Sequence, residues 1–203
     1  MKTISTFLTL ATLLATAATA AADPGWTLAD RARIERLLAA RHHLPGKGEL
    51  KLLHPAAHEI LLDIARFPSS RRAFARTRAL AALRHFPGRA TAAALRGVIK
   101  AADQKARLAK PGPKGQLPMS LALVDLRQAL TSHAVVQGPA SVPLSRAYLA
   151  FPNPDVRATA AVALGHVRTP AARAALLARQ KVERSALVKH ELKAQLERRK
   201  AGK

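Results

Sequence analysis

Sliding the chain along itself by 81 residues brings two stretches into register, and this self-similarity restricts the fold more than any other feature. Arg76 falls on Arg157, Ala79 on Ala160, Ala82 on Ala163, Leu83 on Leu164 and His85 on His166. Further on, Ala90 meets Ala171 and Leu95 meets Leu176. The matched apolar positions, Val156, Ala160, Ala163, Leu164 and Val167 in one copy and Ala75, Ala79, Ala82, Leu83 and Phe86 in the other, recur with the period of a single helix face. In both copies a short turn and a second helix with its own Ala-Ala-Leu follow. A helix–turn–helix unit of this kind cannot bury its apolar face alone, so copies must stack. A fainter third copy places Val188, Leu192 and Leu196 on the stripe, with Gln195 and Arg199 where apolar residues stood. That polar substitution predicts a terminal cap whose outer face meets water.

The rest of the chain also reads as helix. Thr27 and Asp30 have the spacing of a capping box. Leu28, Ile34, Leu37 and Leu38 then share a face, and Pro45-Gly46 is read as the end of that element. Further helices are expected from His54-Pro55, from Ser69-Ser70 to about Phe86, from about Ala90 to Ala102, from near Pro118 to about Val136, and briefly after Pro143. Residues 103–118, with Lys-Pro-Gly-Pro-Lys-Gly at 110–115, read as a polar loop. Asn153-Pro154-Asp155 and Thr169-Pro170 combine a cap with a first-turn proline, and a last helix is expected from about Arg184 to Arg199. No segment alternates with period two, so no sheet is expected. With aromatics at only 3%, the core must come from Leu, Ile, Val and Ala.

The run Asn-Pro-Asp-Val-Arg-Ala-Thr-Ala-Ala-Val-Ala-Leu-Gly-His-Val at 153–167 resembles the short HEAT-like repeat of the phycobilisome-lyase type. Residues 76–95 resemble it less closely, with Arg84 where the pattern has glycine. The resemblance implies an all-α fold, a right-handed α-solenoid of stacked antiparallel helix pairs. It also implies a binding surface rather than a defined chemistry; a few such families became enzymes, so a lyase-like activity stands as an analogy from fold alone.

The first 22 residues read as a cleavable export signal. Lys2 gives a basic start, Phe7 to Ala15 is a short apolar run, and Ala18-Thr19-Ala20 and Ala20-Ala21-Ala22 offer small residues for cleavage. The apolar run is shorter than the ~20 residues of a membrane span. The expected organisation is therefore 1–22 signal and 23–203 a single helical-repeat domain, placed in the periplasm or outside the cell. There is no cysteine, which removes disulfides, thiol nucleophiles and Cys-ligated metals.

Thirty-four Lys and Arg against twelve Asp and Glu give a net charge of +22. The charge is not evenly spread. Between Asp63 and Asp103 there is no acid, while Arg66, Arg71, Arg72, Arg76, Arg78, Arg84, Arg89, Arg96 and Lys100 fall there. Arg71, Arg78 and Arg84 lie off the apolar stripe and are expected in solvent. Arg71, Arg72, Arg78, Arg84, Arg89, Arg96 and Lys100 are thus the candidate partner- or anion-binding residues, Arg being suited to bidentate contact with carboxylate or phosphate. Arg76 and Arg157, flanking the stripe at equivalent positions, are better read as edge residues that lay their stems on the core and bond a neighbouring turn.

Catalytic signals are lacking. His54 and His58 are one helical turn apart and Glu59 adds a carboxylate, but His54 lies at the cap and His42-His43 would have to fold back to complete a site, so no metal site is assigned. His190-Glu191 begins the zinc-protease pattern, yet Ala194 occupies the place of its second histidine. No phosphate loop or nucleophile elbow is present, and no cofactor is expected. The reading is an exported non-enzymatic scaffold that binds a protein partner with an acidic surface. The alternative is direct binding of a polyanion: anionic lipid at a membrane surface, polysaccharide, or nucleic acid, which export disfavours.

Overall fold

The computed structural model describes residues 25–39, 44–68, 73–108 and 120–201. The proposed signal, His42-His43, Ser69-Ser70, Arg71-Arg72 and the Lys-Pro-Gly-Pro-Lys-Gly run lie outside these residues. The described chain is helical: α1 (Leu28–Ala39), α2 (Lys47–Leu53), α3 (Ala57–Arg66), α4 (Ala73–Ala82), α5 (Arg89–Leu108), α6 (Leu121–Gln137), α7 (Val142–Tyr148), α8 (Pro154–His166), α9 (Pro170–Val182) and α10 (Ala186–Ala201). Short 3-10 turns at Leu83–His85 and Gly138–Ser141 extend α4 and link α6 to α7. No strand occurs among the described residues.

Local chemistry sets the helix starts. Thr27 N–H donates to Asp30 Oδ2 at 2.8 Å and Asp30 N–H donates back to Thr27 Oγ1 at 3.2 Å, closing the capping box of α1. Asn153 Oδ1 accepts from the N–H groups of Asp155 and Val156, and Thr169 Oγ1 from that of Ala172, with proline at the first turn of α8 and α9. Gly138, with φ +51°, ends α6 and donates its N–H to Ala134 O, a conformation that L side chains resist.

Three expectations are corrected. No helix was expected between Pro45-Gly46 and His54, yet Gly46 opens α2 there, with its N–H donated to Glu49 Oε2 at 3.0 Å. Leu28 does not join the apolar face of α1; it is 79% exposed, while Ile34 and Leu38 are buried. The helix read as ending at Ala102 continues to Leu108, because Ala102 and Ala106 extend its buried face and Arg107 Nε bonds Asp103 one turn back at 2.9 Å. Arg107 also lies over the ring of Phe151, 4.7 Å from its centre.

The two matched stripes, Ala75 to Phe86 and Val156 to Val167, are both buried. In packing, α4 meets α6, α6 meets α8 and α8 meets α10, while α3 meets α5 and α7 meets α9. The central helix is α6, which buries Leu123, Leu126, Ala129, Leu130 and Ala134 together with Asp125, Ser132 and His133. The core is aliphatic as expected, with Phe86, Tyr148 and Phe151 as aromatic members. Each fully buried Leu or Ile contributes roughly 2 kcal/mol of transfer free energy.

Gln195 departs from its predicted place. It is buried rather than facing water, and a Cβ on Gly165 would fall 2.0 Å from Gln195 Oε1. Glycine at 165 therefore lets α10 approach α8. The expected polar cap face of α10 is in this part an inter-helix contact. The side chain of Arg199 lies outside the described residues.

Candidate partner-binding surface

The described acidic residues are largely committed to internal partners. Arg31 reaches Glu35 at 3.2 Å and Asp63 at 2.9 Å, and also donates to Phe67 O at the end of α3. Arg76 Nε donates to Ala65 O at 2.9 Å while its Nη1 meets Asp125 Oδ2 at 3.2 Å. Asp125 Oδ1 accepts from Thr77 Oγ1 at 2.7 Å. Arg157 grips Glu183 with two nitrogens, at 2.9 and 3.0 Å, and donates a third bond set to Phe151 O and Pro152 O at 2.9 and 2.7 Å. Arg179 adds a second cation to Glu183, 2.6 Å from Oε2. The equivalent arginines 76 and 157 thus tie a preceding turn or helix end to a buried carboxylate, which is the edge-residue geometry.

These carboxylates respond differently to burial. Burial pushes Asp125 upward, and this outweighs the opposing effects of Thr77, Arg76 and Lys105. Burial also acts upward on Glu183, but bonds from Arg157, the Ser185 N–H and Arg179 together hold it down to about 2.

The candidate cations are placed as follows. Arg84 stands in the 3-10 turn after α4, and Arg89, Arg96 and Lys100 lie on α5; all four are exposed. None of the four has a carboxylate within ion-pairing distance among the described residues. Arg78, predicted in solvent, is instead half-buried, with Nη1 donating to Leu38 O at 3.3 Å. Helix α1 packs against α4 and brings the Leu38 carbonyl within reach of Arg78, which a stripe analysis of one helix cannot foresee. Arg71 and Arg72 lie outside the described residues.

The histidines considered for metal have structural partners. His54 Nδ1 accepts the N–H of Ala56 at 3.1 Å, and His58 shares a 2.8 Å hydrogen bond with Thr91 Oγ1 while stacking on Phe86. Among the described residues no three His, Asp or Glu side chains are grouped to hold a metal ion. No described helix is long and apolar enough to cross a membrane.

Sequence reasoning passed over Arg127. It lines a groove of about 280 Å³ between α6 and α8 with Val124, Gln128, Thr131 and Thr159. Its Nε donates to Thr159 Oγ1 at 3.0 Å, and the Thr159 hydroxyl donates to Asp155 O at 2.9 Å. Arg127 is the sole Lys or Arg between Lys114 and Arg146, set in a largely apolar helix. That isolation was the available signal.

Comparison with protein-family models, with curated proteins and with solved structures finds no match.

Proposed function

We propose that this chain is an exported, non-enzymatic interaction scaffold of the HEAT-like kind, whose basic surface binds a protein partner carrying an acidic face. One observation carries the reading. Internal ion pairs and caps take up most of the described carboxylates, whereas Arg84, Arg89, Arg96 and Lys100 remain exposed and meet no carboxylate among the described residues. A cationic exterior of this kind attracts an anionic partner and speeds its encounter.

The architectural part of the proposal is a right-handed solenoid. Its stacking is supported by the contacts of α4 with α6, α6 with α8 and α8 with α10, of α3 with α5 and α7 with α9, and by the burial of both copies of the repeated stripe; its hand is what the HEAT-like resemblance implies. Stacked units of this type present a continuous face formed by successive helices. The placement outside the cytoplasm rests on the reading of residues 1–22 alone.

The test is capture from envelope extract on the immobilised chain, eluted with rising salt. A defined protein that stays bound through moderate salt supports the scaffold. If only lipid, polysaccharide or nucleic acid is held, and all of it leaves at low salt, the chain is a polyanion binder and the scaffold reading is dropped.

A further inference from the structure

Arginine in this protein follows a rule with one exception. The half-buried arginines Arg31, Arg76, Arg157 and Arg179 each meet a carboxylate, and Arg78 meets a backbone carbonyl. Arg127 is half-buried too, yet among the described residues its side chain meets neither; the one hydrogen bond of its guanidinium goes to the Thr159 hydroxyl. The nearest acid along α6, Asp125, is turned to Arg76 and Thr77. A partly desolvated guanidinium without a counter-charge is costly unless something supplies one.

The groove around Arg127 is specific about what could. The Thr159 hydroxyl spends its proton on Asp155 O, and the Thr131 hydroxyl spends its proton on Arg127 O at 3.1 Å. Gln128 gives one amide hydrogen to Ser132 Oγ at 3.2 Å. The remaining donors are therefore the Nη groups of Arg127 and one hydrogen of Gln128. Nε is held by Thr159, so the guanidinium plane is fixed and its outer nitrogens form a ready fork. Two parallel donors and one positive charge match a carboxylate. A phosphate would bring more negative charge than one arginine neutralises, and its additional oxygens would meet hydroxyls with no proton left to give.

The surroundings indicate what carries the carboxylate. Leu121, Val124, Gln128, Thr131 and Val135 recur at helical spacing along the open face of α6. Leu121 and Val135 are 47% and 42% exposed, large apolar groups at either end of this stripe. They are about 21 Å apart along the axis. A free metabolite would not span that distance, but a peptide segment would.

We infer that the α6–α8 groove is a peptide-docking site in which Arg127 takes one glutamate or aspartate of a partner segment while that segment's aliphatic side chains rest on Leu121, Val124 and Val135. This rests on the protein-partner reading above and adds to it the position and chemistry of one anchor. The site is separate from the exposed cations of α5, and it discriminates where they attract: a fixed fork flanked by apolar surface rejects polyanions that lack apolar neighbours.

The probe is an acetylated and amidated helical peptide of about four turns, with a single glutamate between leucines on one face, together with its glutamine twin. Binding to the full chain is followed by fluorescence anisotropy and by the side-chain Nε–H resonance of Arg127. The glutamate peptide is expected to bind about ten-fold tighter than its twin and to shift that resonance. Arg127→Gln should remove the preference, and Arg127→Lys should remove most of it while keeping the charge, with both variants melting close to the parent. Should Arg127→Gln fail to fold, Arg127→Lys and the twin peptide still decide the matter.

Equal binding of the two peptides, or an unchanged preference in Arg127→Lys, overturns the inference. So does inorganic phosphate that saturates the Arg127 resonance at lower concentration than the peptide. If Arg127→Gln still captures the salt-resistant protein partner as the parent does, this site is refuted and the scaffold reading stands. If the parent binds the glutamate peptide through Arg127 but captures no protein, the scaffold reading falls and the carboxylate site stands.

Discussion

Asp125 and Glu183 are two buried carboxylates, each tied to one of the equivalent arginines 76 and 157, and they are held in opposite ways. Glu183 accepts from Arg157 twice, from Arg179, and from the N–H groups of Arg184 and Ser185. Its side chain is 1% exposed, yet it stays ionised down to about pH 2. Asp125 accepts one hydroxyl and one longer arginine contact, and Arg76 is shared with Ala65 O. Burial then prevails and its pKa rises. The lesson is that sequence equivalence of the arginine does not carry over to the acid. The number of bonds to the carboxylate decides whether a buried charge stabilises the fold or strains it.

The sharpest way to break this comparison is to neutralise each acid. Glu183→Gln leaves Arg157 and Arg179 without their counter-charge and should cost roughly 3–5 kcal/mol in denaturant unfolding. Asp125→Asn keeps the bond from Arg76 Nε to Ala65 O and should cost only about 1 kcal/mol. Comparable losses for the two variants would refute the distinction. The pH dependence follows the same division. The folded pKa of Glu183 lies below its ordinary 4.5, so its contribution is present above that value and is lost as pH falls toward about 2. Asp125 is raised above 3.8, so the contribution linked to its titration is present below that value and is lost as pH rises through the folded pKa. Glu183→Gln should therefore flatten the acid limb of stability between about pH 4.5 and 2, whereas Asp125→Asn should not.

A second contrast between the copies is Gly165 against Arg84. Gly165→Ala pushes a methyl into Gln195 and should destabilise by about 1–2 kcal/mol despite alanine's better helix propensity, with Gln195→Ala restoring most of the loss. At the matching position Arg84→Ala should change stability by less than about 0.5 kcal/mol. Thermal melts of the three variants against the parent test the pair.

His133 offers a smaller effect. It is buried, neither ring nitrogen has a hydrogen-bond partner among the described residues, and burial, with Arg96 adding to it, lowers its pKa below 6.5. The unfolded chain then takes up the proton first, so stability falls as pH drops below about 6.5. His133→Leu should melt higher than the parent at pH 5.5 and no lower at pH 7. Residual acid sensitivity is expected from His58, His85 and His166, which burial also lowers. Smallest in stability are reversals of the exposed cations: Arg89→Glu with Arg96→Glu should leave the melt within about 0.5 kcal/mol while lowering the salt concentration at which the captured partner elutes.

The parts of the fold legible in the sequence are those governed by neighbours along the chain. The capping residues Thr27, Asn153 and Thr169, the prolines at 154 and 170, and both repeated apolar stripes act within a turn or two, so their chemistry can be read locally. The short helix α2 was missed because seven residues hold too little periodicity to register. Arg78 was misplaced because its acceptor, Leu38 O, is 40 residues away.

Sequence alone therefore determined an all-helical chain, its main helix boundaries, its buried stripes and its excess of positive charge, since each depends on residue type and short-range spacing. Only the tertiary structure decided which charges are spent and which are left over. Pairing depends on what other helices bring within hydrogen-bond reach: Glu183 to Arg157 across 26 residues, Asp125 to Thr77 across 48, and, among the described residues, no carboxylate to Arg127.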